Sequence, residues 1–144
     1  MVILVSRCLM GDNCRYKGDN CFNDRIAALS ERHTLIPVCP EVLGGLATPR
    51  SPSERVGDKV VSKDGKDVTA EYLAGAEKTL QIARESNVSL CIFKAKSPSC
   101  GHGTIYDGTF SGNLIPGEGV TAELMIKSGY RVITEADTEE IAKL

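Results

Sequence analysis

Val2-Ile3-Leu4-Val5, followed at once by Ser6-Arg7-Cys8, decides how the rest of the chain is read. Four consecutive aliphatic residues leave no polar face, the pattern of a strand covered on both sides within a parallel sheet. Thr34 to Val38, stopped by Pro40, reads as the next such strand, Val88 to Ala95 as another and Arg131 to Thr134 as the last. Between them the periodicity changes. Phe22, Ile26 and Leu29 recur at helical spacing with Asn20 as a cap, which predicts a helix to about Arg32. Thr69 caps a longer helix that places Leu73, Ala76, Leu80 and Ala83 along one face and ends near Asn87. A short helix from about Gly119 to Ser128 is closed by Gly129, and Asp137 with Glu140 forms a capping box for a terminal helix.

Strands alternating with helices predict an α/β fold: a layered sandwich with a mostly parallel, Rossmann-like sheet of right-handed connections, built as one domain over residues 1–144. Lys59 to Ser62 and Lys66 to Val68 flank Asp64-Gly65, so a small β-hairpin excursion is expected there. Pro49 and Pro52 make 47–53 a surface loop, and Lys96 to Gly103 holds too much Ser, Pro and Gly to continue either kind of element. Gly117-Glu118-Gly119 fits no complete phosphate-loop pattern and reads as a turn.

The formal net charge is −2, and neither Lys nor Arg gathers into a run that tracks a phosphate backbone, which argues against a nucleic-acid polymer as partner. No apolar stretch approaches the roughly 20 residues of a membrane span, and the opening residues lack the basic leader of a signal peptide. A cytoplasmic, membrane-free protein is expected. Six cysteines then require an account other than a secreted disulfide framework.

Cys8, Cys39 and Cys100 each fall just beyond the carboxyl end of an expected strand, where the loops of an open α/β sheet converge and ligands bind. Three loops can thus bring three sulfurs to one point. Cys91, between Leu90 and Ile92, reads as a small hydrophobe inside a strand. Cys14 and Cys21 lie in the polar stretch after the first strand and suit either a place at the site or spare thiols. There is no Cys-x-x-Cys pair, so no zinc-ribbon or ferredoxin spacing is written here. The neighbours of the cysteines are more telling: Cys39-Pro40-Glu41 leads into Gly44-Gly45, and Ser97-Pro98-Ser99-Cys100-Gly101 holds the third, glycines and prolines that let main-chain amides approach a ligand closely.

At these residues the chain resembles the thiouracil desulfurases, a family long catalogued as a domain of unknown function. The match is carried by Ser6-Arg7-Cys8-Leu9-Met10-Gly11 with Cys14-Arg15-Tyr16, by Val38-Cys39-Pro40-Glu41-Val42-Leu43-Gly44-Gly45-Leu46, by Thr48-Pro49-Arg50, and by Lys94-Ala95-Lys96-Ser97-Pro98-Ser99-Cys100-Gly101. The resemblance implies a 4Fe-4S cluster on Cys8, Cys39 and Cys100 with one iron open to the substrate's sulfur. It also implies catalytic roles for Glu41 and for a serine among Ser97 and Ser99, of which Ser97 is preferred. Lys17 stands where the family pattern carries an acid. The activity implied is non-redox hydrolysis of a C–S bond in a small thiolated pyrimidine base or related thioamide, giving the oxo compound and sulfide, with Glu41 taking a proton from the attacking water. An iron without a protein ligand is a thiophilic Lewis acid suited to such a step. Two rivals stand beside this reading: a metal-free cysteine enzyme that forms a persulfide, and a module whose cysteines hold a metal for structure or sensing. Arg7, Arg15 and Arg50 suit contact with a heterocycle or an anion, or a plain surface role. His102 beside Cys100-Gly101 is a ligand or proton carrier only if something else faces it.

Overall fold

The computed structural model describes residues 1–144. Its first strand, β1 (Val2–Ser6), is buried along all but its first residue, as an unbroken aliphatic run requires. Side chains alternate across a strand, and here both faces find apolar cover. Ile3 and Val5 join Leu90, Ile92 and Ile133 in one cluster with Ile26, Leu29 and Ile141, while Leu4 joins Cys91, Phe93 and Val132 in a second with Leu80, Ala83, Ala122 and Met125. Two helical layers therefore sandwich the sheet.

β2 (Thr34–Val38), β5 (Leu90–Phe93) and β8 (Val132–Thr134) complete a wholly parallel sheet in the order β2-β1-β5-β8. The chain runs from β1 outward to β2 and then returns across β1 to β5, which puts a reversal of strand order beside β1, the place where open α/β sheets hold ligands. On the first face lie α1 (Asp24–Ala27), prolonged by a 3-10 turn over Ala28–Glu31, and α5 (Thr138–Ala142); on the second lie α3 (Thr69–Glu85) and α4 (Val120–Lys127). α2 (Pro40–Leu43) is one turn opened by Pro40, whose ring suits a first helical position; proline here starts a helix directly after ending a strand.

α2 meets α3 backbone to backbone. A Cβ on Gly44 would lie 1.9 Å from the Glu71 carbonyl oxygen, and one on Gly75 would lie 1.9 Å from that of Pro40, so only glycine permits the approach from either side.

Several local expectations are corrected. The N-cap of the first helix is Asn23, whose Oδ1 accepts from Ile26 N at 3.1 Å; Asn20 instead accepts from Phe22 N in a turn, and Phe22 is 59% exposed. Leu73 is 52% exposed, and the buried stripe of α3 is Tyr72, Gly75, Ala76, Thr79, Leu80 and Ala83. The hairpin is shifted: β4 (Lys59–Ser62) pairs with β3 (Ser53–Val56) around Gly57-Asp58. Lys66 to Val68 does return along β4, through Ser62 N to Lys66 O and Val68 N to Val60 O, but makes a single bridge before α3 begins. A second hairpin, β6 (Thr104–Tyr106) with β7 (Leu114–Pro116), was not expected from the sequence. The capping box does not form, because Asp137 accepts from Thr134 N and Glu140 pairs with Arg131 at 2.6 Å.

Candidate functional site

Beyond the carboxyl ends of β1, β2 and β5 opens a cavity of about 410 Å3. Cys8, Cys39 and Cys100 all line it. Cys8 sits on a 3-10 turn (Arg7–Met10) that leaves β1, and Cys39 is the residue between β2 and α2. Cys100 follows a tight turn in which the Ser97 hydroxyl accepts from the amides of Ser99 and Cys100 at 3.1 and 3.0 Å.

A fourth cysteine belongs to the same wall. Cys14 is buried, lines the cavity, and its thiol lies within hydrogen-bond reach of both the Cys39 and Cys8 thiols. The Cys39 thiol lowers its pKa, the Cys8 thiol and burial raise it, and the balance is a rise to about 11. Cys39 is pushed well above the ordinary thiol range by the Cys14 thiol and by burial, and Cys100 by burial. Cys91 is a fully buried strand residue raised to about 12 by burial alone, as its place in the apolar run suggests. Cys21 packs against the core and does not line the cavity.

No three Cys, His, Asp or Glu side chains converge tightly enough to hold a single metal ion. A zinc site would need its thiolates about 4 Å apart, set by Zn–S bonds of about 2.3 Å. A cluster separates its ligands by its own body, and three thiols on three loops around one open cavity fit that wider arrangement.

Glu41 lines the cavity in the first turn of α2. The Tyr72 hydroxyl donates to its Oε1 at 2.6 Å, and Arg50 Nη2 approaches the same oxygen at 3.4 Å. Both contacts fall on Oε1, so no protein donor engages Oε2. The close packing of α2 on α3 brings this tyrosine, 1% exposed, up to the carboxylate; burial and then the Glu41 charge keep its phenol protonated far above the ordinary tyrosine range. Arg50, whose side chain is 9% exposed, also donates to the carbonyls of Ala47 and Cys14 and to the Thr48 hydroxyl, while its Nε has no partner.

The two candidate serines separate. Ser97 lines the cavity. Ser99 does not; it is fully buried with its hydroxyl 2.8 Å from that of Thr121. His102 is also outside the cavity, with Nδ1 2.8 Å from Glu118 Oε2. Arg7 and Arg15 line the cavity, each paired with an aspartate, Asp12 and Asp19.

Other lining residues carry no motif. Lys63, Lys94 and Lys96 join the three arginines, so six cations face two carboxylates, Glu41 and Glu54, in a chain of net charge −2. Such a lining concentrates anionic groups. Tyr16, Tyr106 and Phe110 are three of only seven aromatic residues in the chain. Their scarcity elsewhere is the one signal that the sequence offers for them, since the elements that carry them come from distant segments.

The profile of the 2-thiouracil desulfurase family matches residues 3–137. The chain is 47% identical to the uncharacterized protein YbbK of Bacillus subtilis (strain 168), over 97% of this chain and 99% of that one. It is also similar to the solved structure of the 4Fe-4S-dependent thiouracil desulfidase TudS, with a TM-score of 0.91 at 42% identity, over 97% of this chain and 94% of that one. Spanning nearly the whole fold and every segment that builds the cavity, these matches show that the chain belongs to the 2-thiouracil desulfurase family.

Proposed function

We propose that the protein hydrolyses the C–S bond of a small thiolated pyrimidine base such as thiouracil, or of a related thioamide, with Cys8, Cys39 and Cys100 holding a 4Fe-4S cluster. The observation that carries the proposal is the convergence of these three strand-end cysteines and Glu41 on one open cavity. When bound, the cluster supplies an iron without a protein ligand, a thiophilic Lewis acid that polarises a thiocarbonyl.

The chain's own groups do the rest. Glu41 accepts a proton from water as the water oxygen bonds to the thiocarbonyl carbon; the C–S bond then breaks, and sulfide leaves as the C=O forms. Electrons balance without a flavin or nicotinamide, for which the chain has no fingerprint. Tyr72 and Arg50 fix Oε1 and leave Oε2 to take the proton. Ser97 holds the Cys100 turn and offers its hydroxyl to the developing oxyanion, a role for which Ser99, sealed against Thr121, is poorly placed. The six cations favour a thiolated base that carries negative charge.

The metal-free persulfide reading is weaker, because burial raises the Cys100 thiol, and the Cys14 thiol with burial raises Cys39, and neutral thiols are poor nucleophiles. Six unpaired cysteines suit a reducing, cytoplasmic setting. No helix is long and apolar enough to cross a membrane.

Protein purified without oxygen is expected to contain about four irons and four sulfides per chain, and to convert thiouracil to uracil with release of sulfide. Glu41→Gln should keep the iron and lose turnover. Full activity after removal of iron, or in Glu41→Gln, overturns the proposal.

A further inference from the structure

The outer wall of the cavity comes from an element outside the four-stranded sheet. The β6–β7 hairpin ends in a tip, residues 107–113, that is closed by Asp107 N donating to Asn113 O at 3.0 Å and by the Asp107 carboxylate accepting from Thr109 N at 2.9 Å. That tip is tied to the other hairpin by one carboxylate. Glu54 on β3 is 9% exposed, and its Oε1 accepts from Gly108 N at 2.9 Å and from Phe110 N at 3.2 Å. Gly108 must be glycine for this contact: its φ is +94, and a Cβ there would lie 2.4 Å from Val56 Cγ2.

Phe110 between these bonds has φ +56, a left-handed conformation that a bulky aromatic residue rarely adopts. The two amide bonds to Glu54 hold it there, and the outcome is an aromatic side chain on the wall of the cavity that also contains Cys8, Cys39, Cys100 and Glu41. Tyr106 on the same hairpin and Tyr16 add aromatic surface to that wall. Strained residues that the surroundings hold in place cluster at sites where the geometry is used.

We propose that Phe110 is a specificity-determining residue that reads the flat π-face of the substrate ring, and that Glu54 is its positioning residue. The inference rests on the desulfurase reading and deepens it: a C=S group alone does not satisfy the site, and a planar, unsaturated heterocycle does. Stacking of a base on an aromatic side chain is sequence-tolerant, depends on ring planarity, and changes affinity by about tenfold or more.

The test compares uracil with 5,6-dihydrouracil, which presents the same polar edge on a puckered, saturated ring, by calorimetry on anaerobically purified holoprotein. The wild type is expected to bind uracil about tenfold more tightly. Phe110→Leu and Phe110→Ala should abolish that preference, and Phe110→Tyr should restore it. Glu54→Leu, which fills the space without an acceptor, should also abolish it; Glu54→Gln, which keeps an acceptor oxygen, should recover it. In turnover, Phe110→Leu should lose about tenfold in kcat/KM for thiouracil and nothing for thioacetamide. An unchanged preference in the Phe110 variants, or an equal loss for both ligands, overturns the role of Phe110. An unchanged preference in Glu54→Leu overturns that of Glu54. A wild type that binds neither pyrimidine and leaves thiouracil intact overturns the desulfurase reading itself, and this inference with it.

Discussion

Gly75→Ala should destabilise the protein and impair turnover, although alanine is the better helix former. The opposing effects can be weighed. Glycine to alanine inside a helix gains about 1 kcal/mol in propensity. Against this, the new Cβ would lie 1.9 Å from the Pro40 carbonyl oxygen and 2.8 Å from its carbon. Both belong to main chain, so no rotamer relieves the overlap, and reaching an ordinary contact of about 3.4 Å requires about 1.5 Å of separation between α2 and α3. Overpacking of this kind costs about 3 kcal/mol at the upper end of its usual range. The clash wins by about 2 kcal/mol, which for a chain of this size is a drop in Tm of about 8 °C. The displaced helix carries Glu41 and begins at Cys39. A misplacement of about 1 Å in a catalytic group can cost about a hundredfold in rate. Thermal melting by circular dichroism, with thiouracil turnover measured well below the melting range, reads both effects; Glu77→Ala on the outer face of α3 serves as the control. A Tm equal to or above that of the wild type, or undiminished turnover, would refute the reasoning.

Ser97→Ala should lower stability by about 1–2 kcal/mol, because two amides lose their acceptor, and should lose turnover; Ser97→Thr should recover both, and full turnover in the alanine variant would remove Ser97 from the chemistry. Glu123 is held below its ordinary 4.5 chiefly by its hydrogen bond from Arg55, so its contribution to stability is present above that value and is lost as pH falls through the depressed folded pKa. Glu123→Gln should therefore cost up to about 1 kcal/mol at pH 7, a figure reduced by its partial exposure, and nothing in acid; a gap that persists in denaturant titrations at low pH would contradict this. Raising ionic strength should increase KM for an anionic thiouracil derivative and leave neutral thiouracil unchanged, by screening the six cations of the cavity; equal shifts for both substrates would contradict it.

The parts of the fold that were legible in the sequence are those decided by burial. β1, β2 and β5 are short apolar runs with water on neither face, and their composition shows it. The strand-end placement of Cys8, Cys39 and Cys100 follows from those runs alone, and it located the cavity. Elements whose partners are distant were harder to read. β7 is exposed along its whole length and pairs only with β6, so it has no apolar pattern to find. Ser53–Val56 competes with Lys66–Val68 for the same edge of β4, and the start of α3 at Thr69 settles the contest, which no local window contains. Asp137 and Glu140 sit at capping-box spacing, yet nearby partners, the Thr134 amide and Arg131, take both carboxylates. Within the site, Glu41 was legible from its neighbours Cys39 and Pro40; Tyr72, Glu54 and Phe110 were not, because each reaches the cavity through a contact between segments more than 30 residues apart.

The segment that bears Cys100 is woven into α4. Val120 N donates to Pro98 O, Thr121 N and Ala122 N both donate to Ser99 O, and Gly119 N donates to Gly101 O, at 2.7 to 3.1 Å. The leading amides of that helix thus find their acceptors in the cysteine loop, and Gly119, where a Cβ would lie 2.4 Å from Ser99 O, lets the two meet. Small zinc modules gain their shape from the metal, so that chelators denature them. A mould whose third corner is cast in main-chain hydrogen bonds answers to different economics: extracting the metal should strip colour and chemistry while the scaffold endures, ready to be refilled.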